Sequence, residues 1–345
     1  MTPTHFAQLA DIAQALVAPG KGILAADEST STIEKRFKSI GLASTEDTRR
    51  AYRDLLFTAP GANEFISGVI LFDETLRQKG LSGKTFVDIL NAQGIIPGIK
   101  VDRGTVPLAF SPKETMTEGL DGLRQRLQEY VQLGAKFAKW RAVITIDGEA
   151  LPTDNAIEVN AHTLARYAAL CQEAGLVPIV EPEVLMDGAH TIDDCFAVTS
   201  YALECVFKEL RSQGVVLEAM LLKPNMVISG KECPEQADVD DVAAATLDCF
   251  RNHVPAAVPG IVFLSGGQSD ELATAHLNAM NASGQLPWAL SFSYGRALQA
   301  PALKAWCGKP ENVKAGQQAF LLRAKLNSLA TEGAYEPSME MKKAS

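Results

Sequence analysis

A chain of 345 residues that is 47% hydrophobic and 21% charged can bury a sizeable core, which excludes a disordered polypeptide. Its formal net charge of −9 argues against a general nucleic-acid binder and against docking on an anionic membrane, while leaving room for a small anionic ligand in a local basic pocket. Six cysteines without a C-x-x-C pair, in a chain of this size, read as reduced, mostly buried thiols of a cytoplasmic protein.

The first stretch, "MTPTHFAQLADIAQALVAPGKG", lacks a basic n-region and carries Asp11, so it reads as an amphipathic helix and not a signal peptide. No apolar run in the chain is long enough to span a membrane. From there, short apolar runs alternate with longer helical patterns. The strand candidates in order are "GKGILAADE", "FISGVILFDE", "IIPGIKVD", "AKFAKWRAV", "LVPIVEPEV", "EAMLLKPNM", "GIVFLSGGQS" and "PWALSFSYGR". Between them lie helix patterns such as "STEDTRRAYRDLLFTA", in which Ser44 and Asp47 resemble a capping box. Gly134, Gly175 and Gly214 close later helices at the C′ position. Strand and helix recur every 30–45 residues or so, the size of a βα unit, and continuous apolar strands suit a parallel sheet covered on both faces. Eight such units predict one (β/α)8 barrel domain over residues 1–345. Its core covers about 20–330, an N-terminal helix precedes it, and a polar, mobile tail covers 331–345. No G-x-G-x-x-G opens a helix after an early strand, which weakens a dinucleotide-binding reading.

Almost every candidate strand ends in polar or charged residues: Asp27 and Glu28, Asp73 and Glu74, Lys100 and Asp102, Lys139 and Arg141, Glu181 and Glu183, Lys223, then Ser265, Ser293 and Arg296. One such residue alone is usually a solvated loop residue. Three lysines ending three separate apolar strands, with carboxylates ending others, are harder to read that way, because a solvated rim does not need lysines in strand bodies. In a barrel these ends converge on the face that carries active sites. A lysine desolvated beside other cations becomes a nucleophile toward carbonyls. Lys223 follows the most apolar run, and Pro224 removes the next ladder N–H, so the strand should stop with Lys223 at the rim.

Two anion sites are expected on the same face. The turn after "GIVFLS", through Gly266 and Gly267, offers free backbone N–H groups, and Ser293, Gly295 and Arg296 end the last strand nearby. A second cluster, Ser29, Thr32, Lys35 and Arg36, follows the first strand. Two such sites suggest a ligand with a phosphate at each end. The five histidines show no metal-ligand spacing, so a dedicated zinc site is not expected; no other cofactor is expected either. The "NAS" sequon at Asn281 and the incomplete Walker-like "SGKT" are set aside.

Taken in order, "GKGILAADEST", "SGVILFDET", "GIKVD", "FAKWR", "PIVEPE", "LLKPNM", "FLSGGQS" and "ALSFSYGRALQAPALKAW" resemble class I fructose-1,6-bisphosphate aldolase over essentially the whole chain. The resemblance implies that Lys223 forms a Schiff base with the C2 ketone. Glu181 would act as acid and base in dehydration, and Asp27 would accept the C4 hydroxyl proton. Lys139 would stabilise developing charge, and Glu183 would orient the lysines. Lys100, near the C6 phosphate, and Arg141 would contact substrate. Ser265, Gly266 and Arg296 would hold the C1 phosphate, with Ser293 and Gly295 nearby, and Ser29, Thr32, Lys35 and Arg36 the other end. It also implies a homotetramer and no metal. One departure is that no tyrosine follows Tyr335, where animal members end in a tyrosine that assists proton exchange. A Schiff-base aldolase for a related sugar phosphate stays open as an alternative, as does an idle scaffold, although every catalytic position is occupied.

Overall fold

Each of the eight apolar runs forms a strand of a closed parallel barrel. The computed structural model describes residues 3–341. The barrel strands are β1 (Gly22–Ala26), β2 (Ile66–Leu71), β3 (Ile96–Lys100), β6 (Phe137–Ile144), β7 (Val177–Val184), β8 (Leu221–Leu222), β9 (Gly260–Phe263) and β10 (Ala289–Tyr294). They pair in chain order, and β10 closes onto β1 through Ile23 opposite Ser293 and Leu24 opposite Tyr294. Two further strands, β4 (Thr105–Leu108) and β5 (Ser111–Thr117), form an antiparallel hairpin in the loop after β3. They escaped the sequence reading because Pro107, Pro112 and alternating charge mask the pattern of a strand.

Two groups of buried apolar side chains divide the core by strand parity. Successive strand residues point to opposite faces. Ile23, Ala25, Ile70, Phe137, Val177, Ile179, Leu221 and Val262 form the smaller group and fill the lumen. Leu9, Ala13 and Leu16 of helix α1 (Pro3–Leu16) join them, with Val17 just after it, so α1 plugs the N-terminal end of the barrel. The opposite parity, including Leu24, Val69, Trp140, Val180, Ile261 and Phe292, faces the surrounding helices in the larger group. The lumen is tight at its floor. A Cβ on Gly98 would lie 2.3 Å from the Phe137 ring, and one on Gly260 2.5 Å from Val17, so these two strand positions have room only for glycine.

The helix starts follow the sequence with one shift. Helix α2 (Thr30–Lys38) is capped by Ser29. Helix α3 (Glu46–Phe57) is capped by Thr45, whose hydroxyl accepts from the Thr48 N–H while Thr48 accepts from the Thr45 N–H. The capping box therefore lies one residue beyond the Ser44–Asp47 pair expected, and the Ser44 hydroxyl instead accepts from Arg49. Two adjacent hydroxyl residues are both competent caps, and sequence alone does not choose between them. Gly134, Gly175 and Gly214 all adopt positive φ, as expected of residues that end helices.

Beyond the long helix Val313–Thr331, Tyr335 is buried and donates from its hydroxyl to Glu340, which also pairs with the buried Arg323 at 2.7 Å. Residues 342–345 of the segment read as a mobile tail lie outside the described residues. Five of the cysteines are buried thiols and Cys307 is exposed. Among the described residues no helix is long and apolar enough to cross a membrane.

Candidate active site

The charged groups at the strand ends are continuations of the lumen rows. Ile23 and Ala25 lead to Asp27, and Phe137 leads to Lys139 and Arg141. Val177 and Ile179 lead to Glu181 and Glu183, Leu221 leads to Lys223, and Gly98 leads to Lys100. Period-two alternation thus aims seven charged side chains into one mouth just above an apolar floor. Every candidate site residue except Lys35 lines one cavity of about 290 Å³ there. Lys35 is exposed on α2 and lines a neighbouring cavity with Thr32, Arg36 and Arg296. One helical step rotates a side chain by roughly 100°, so Lys35 and Arg36 cannot both face the barrel mouth.

The strand before Lys223 stops where Pro224 requires. β8 ends at Leu222, the Lys223 N–H still donates to Val180 O at 2.8 Å, and the Pro224 carbonyl accepts from Leu264. The Lys223 side chain is 5% exposed. Its Nζ lies 3.3 Å from Glu181 Oε1. Lys139 Nζ lies 3.3 Å from Glu181 Oε2 and 2.7 Å from Asp27 Oδ2. Two buried ammonium groups therefore share one carboxylate, and a second carboxylate holds one of them. Glu181 Oε2 lies within ion-pair distance of Lys139 but makes no aligned hydrogen bond, and the buried Ser293 Oγ has no partner either. Unpaired buried polar atoms facing a cavity are costly in a protein interior unless a ligand meets them.

The electrostatics follow from this packing. Burial alone would raise the Asp27 carboxyl, but the ammonium groups of Lys139, Lys223 and Lys100 hold it well below the usual carboxylate range. Burial would lower Lys139, yet Asp27, Glu181 and Asp102 keep it firmly charged. Arg141 is likewise held charged against burial by Glu183, Glu181 and Asp102. Glu183 pairs with Arg141 and not with a lysine, so its contact differs from the one expected. Lys100 Nζ sits 2.6 Å from Asp102, whose other oxygen accepts from the Arg141 N–H. Asp102 thereby ties the ends of β3 and β6 together.

The anion-binding features lie at the opposite rim. Gly266 has φ +55 in the turn after β9, and Ser265 is buried beside it. Arg296 opens the helix Arg296–Trp306 just after Gly295, and its guanidinium donates to the Gln268 carbonyl. A helix N-terminus, a glycine turn and an arginine make a ready anion site. Across the mouth, Ser29 caps α2, its hydroxyl lies 3.0 Å from that of Thr32, and Arg36 lies one turn further along.

Four residues noted in the sequence without an assigned role differ in where they point. Glu28 follows Asp27 and points out of the barrel, where it is buried against Arg36, Arg53 and Gln299. Asp73 and Glu74, also at a strand end, turn away to pair with Arg77 and Arg49. Tyr335, the last tyrosine in the chain, is tied to Glu340 and does not line the cavity.

The chain is similar to known proteins over nearly its whole length. The family model described as fructose-bisphosphate aldolase class-I matches residues 8–345. A probable fructose-bisphosphate aldolase class 1 of Xanthomonas axonopodis pv. citri is 59% identical over 330 residues, 95% of this chain and 98% of the relative. Cytosolic fructose-bisphosphate aldolase 4 of Arabidopsis thaliana is 56% identical over 94% of this chain and 82% of its own. The solved Plasmodium falciparum fructose-bisphosphate aldolase, in complex with TRAP and a small-molecule inhibitor, superposes with a TM-score of 0.96 at 53% identity over 97% of both chains. The family model spans nearly the whole chain and the solved relative shares its fold, so the chain belongs to the class-I fructose-bisphosphate aldolases, which are carbon–carbon lyases.

Proposed function

We propose that the chain cleaves fructose 1,6-bisphosphate reversibly to dihydroxyacetone phosphate and glyceraldehyde 3-phosphate through a Schiff base on Lys223. The observation that carries this reading is Glu181 held 3.3 Å from both Lys223 and Lys139, at the buried foot of the cavity. The attacking amine must be neutral, and Glu181 is the base within reach of its proton. Attack on C2 gives a carbinolamine. Glu181 then returns a proton to the leaving hydroxyl, water departs, and an iminium forms. Asp27, kept ionised beside Lys139, is in the state needed to take the C4 hydroxyl proton. As the C3–C4 bond breaks, its electron pair flows into the iminium, glyceraldehyde 3-phosphate leaves and the enamine remains. Lys139 offsets the negative charge passing between Asp27 and Glu181.

The C1 phosphate falls to Ser265, Gly266, Ser293, Gly295 and Arg296. The second phosphate falls to Ser29, Thr32 and Arg36, with Lys100 and Arg141 lining the path between. The iminium is the electron sink, so no metal is assigned to the reaction, and the chain is expected to work as a homotetramer. The test is reduction with borohydride in the presence of dihydroxyacetone phosphate. One adduct at Lys223 is expected, Lys223→Met should give none, and activity should survive EDTA. An adduct that maps elsewhere, or none in the parent chain, sinks the mechanism.

A further inference from the structure

Glu28 sits at the centre of a buried arrangement that the reaction steps do not use. Asp27 and Glu28 are adjacent after β1, so they point to opposite sides: Asp27 to the lumen, Glu28 to the layer behind it. Glu28 Oε1 accepts from Arg36 Nη1 and from Gln299 Nε2, the latter at 2.8 Å. Glu28 Oε2 accepts from Arg53 Nη2 at 2.6 Å. Gln299 Nε2 also donates to the Ala25 carbonyl at 2.7 Å, which ties the cluster to the C-terminal end of β1. The side chains of Glu28 and Arg53 are 4% and 3% exposed, whereas that of Arg36 is 24% exposed and lines the active-site cavity. Arg53 itself does not line it.

A buried arginine–carboxylate–arginine set is a poor stability device, because desolvating three charges offsets most of their attraction. Its charge balance points elsewhere. Glu28 and Arg53 cancel, and the remaining positive charge belongs to Arg36, the cation of the set that lines the cavity, where Glu28 reaches the wall as well. Without Arg53, Glu28 would neutralise Arg36 and hold it back. We propose that Arg53 is a positioning residue: by occupying one oxygen of Glu28 it leaves Arg36 oriented and positively charged for the substrate's second phosphate, and so makes the site selective for bisphosphates over 1-monophosphates. This rests on the reading of Arg36 as a ligand of that phosphate.

The experiment compares kcat/KM for fructose 1,6-bisphosphate and fructose 1-phosphate in the full-length protein. Arg53→Met should lower the bisphosphate value about tenfold or more, through KM, and leave the monophosphate value within about twofold. Arg53→Lys, which keeps the charge, should recover most of the loss. Borohydride trapping with dihydroxyacetone phosphate, which carries only the first phosphate, should saturate at the parent concentration. Should Arg53→Met not fold, Arg53→Gln keeps a donor for Glu28 without the charge and reads the same ratio. Equal falls for both substrates, or no fall for either, overturn the proposal. Arg36→Gln separates it from its premise. If Arg36→Gln leaves the ratio unchanged, the assignment of Arg36 to the second phosphate is wrong. If Arg36→Gln lowers the ratio and the Arg53 variants do not, only the positioning role is wrong.

Discussion

At the scale of single residues, the site turns on where opposite charges are forced to share. Lys139 is the hinge of that sharing, since it holds Asp27 at 2.7 Å and Glu181 at 3.3 Å while buried. Lys139→Met keeps the bulk of the stem and removes the charge. Two carboxylates would then face each other with only Lys223 close by, and removing one partner of a buried pair costs about 3–5 kcal/mol. The Asp27 carboxyl, now held well below the usual range, would move up as burial prevails. Activity should fall by about 100-fold or more, and the acid limb of the residual rate should shift to higher pH. A pH–rate profile in which activity falls and the acid limb stays put would show that Lys139 does not set the state of Asp27. The row of charges was legible in the sequence, because each one follows an apolar strand. Which row faces the lumen was not, since both parities are apolar, and neither was the pairing of Glu183 with Arg141. The partners of Glu28 were illegible for a plainer reason. Arg53 and Gln299 lie 25 and 271 residues away, on different helices, and each looks like an ordinary helix-surface residue.

At the scale of elements, the lumen floor decides whether the strands can carry these rows at the right height. Phe137 opens the row that ends in Lys139 and Arg141, and its ring lies across Gly98, which opens the way to Lys100. Gly98→Ala would force the ring aside or spread β3 from β6, and overpacking of this kind costs about 1–3 kcal/mol. The urea midpoint should fall, and Phe137→Leu in the same chain should restore part of it, because the smaller side chain vacates the space. Additive losses in the double variant would show that the two positions do not compete for volume. The eight barrel strands were readable because burial on both faces writes them as unbroken apolar runs. The β4–β5 hairpin was not, because it is half exposed and interrupted by prolines, and its ladder is held by backbone pairing that leaves little trace in composition. The length of β8 was also beyond the pattern. Its apolar run continues through Ala219 and Met220, but those residues form a 3-10 turn and its extended cap.

At the scale of the whole molecule, acid stability should be set by buried groups spread across the fold. His276, on the helix Asp270–Ala282 behind the phosphate turn, is buried, and its Nδ1 lies 2.6 Å from Gln268 Oε1. Burial lowers it from 6.5 to about 4. A histidine whose folded value is depressed favours the folded state most above its unfolded value. That contribution is lost as pH falls from 6.5 toward 4, because the unfolded chain then binds the proton first. At 1.36 kcal/mol per unit the loss reaches roughly 3 kcal/mol. Asp27 and Glu28, both lowered against burial by their basic partners, act the same way further down: their contribution is present above the ordinary carboxylate range and is lost below it. The urea midpoint should therefore decline in two stages, a histidine stage between about pH 6.5 and 4 and a carboxylate stage beneath it. Replacing His276 with Gln keeps a polar group for Gln268 and removes the titration. It should flatten most of the first stage, leave the smaller share from the also-lowered His190, and leave the second stage intact. A first stage of full depth in His276→Gln would place the acid sensitivity elsewhere.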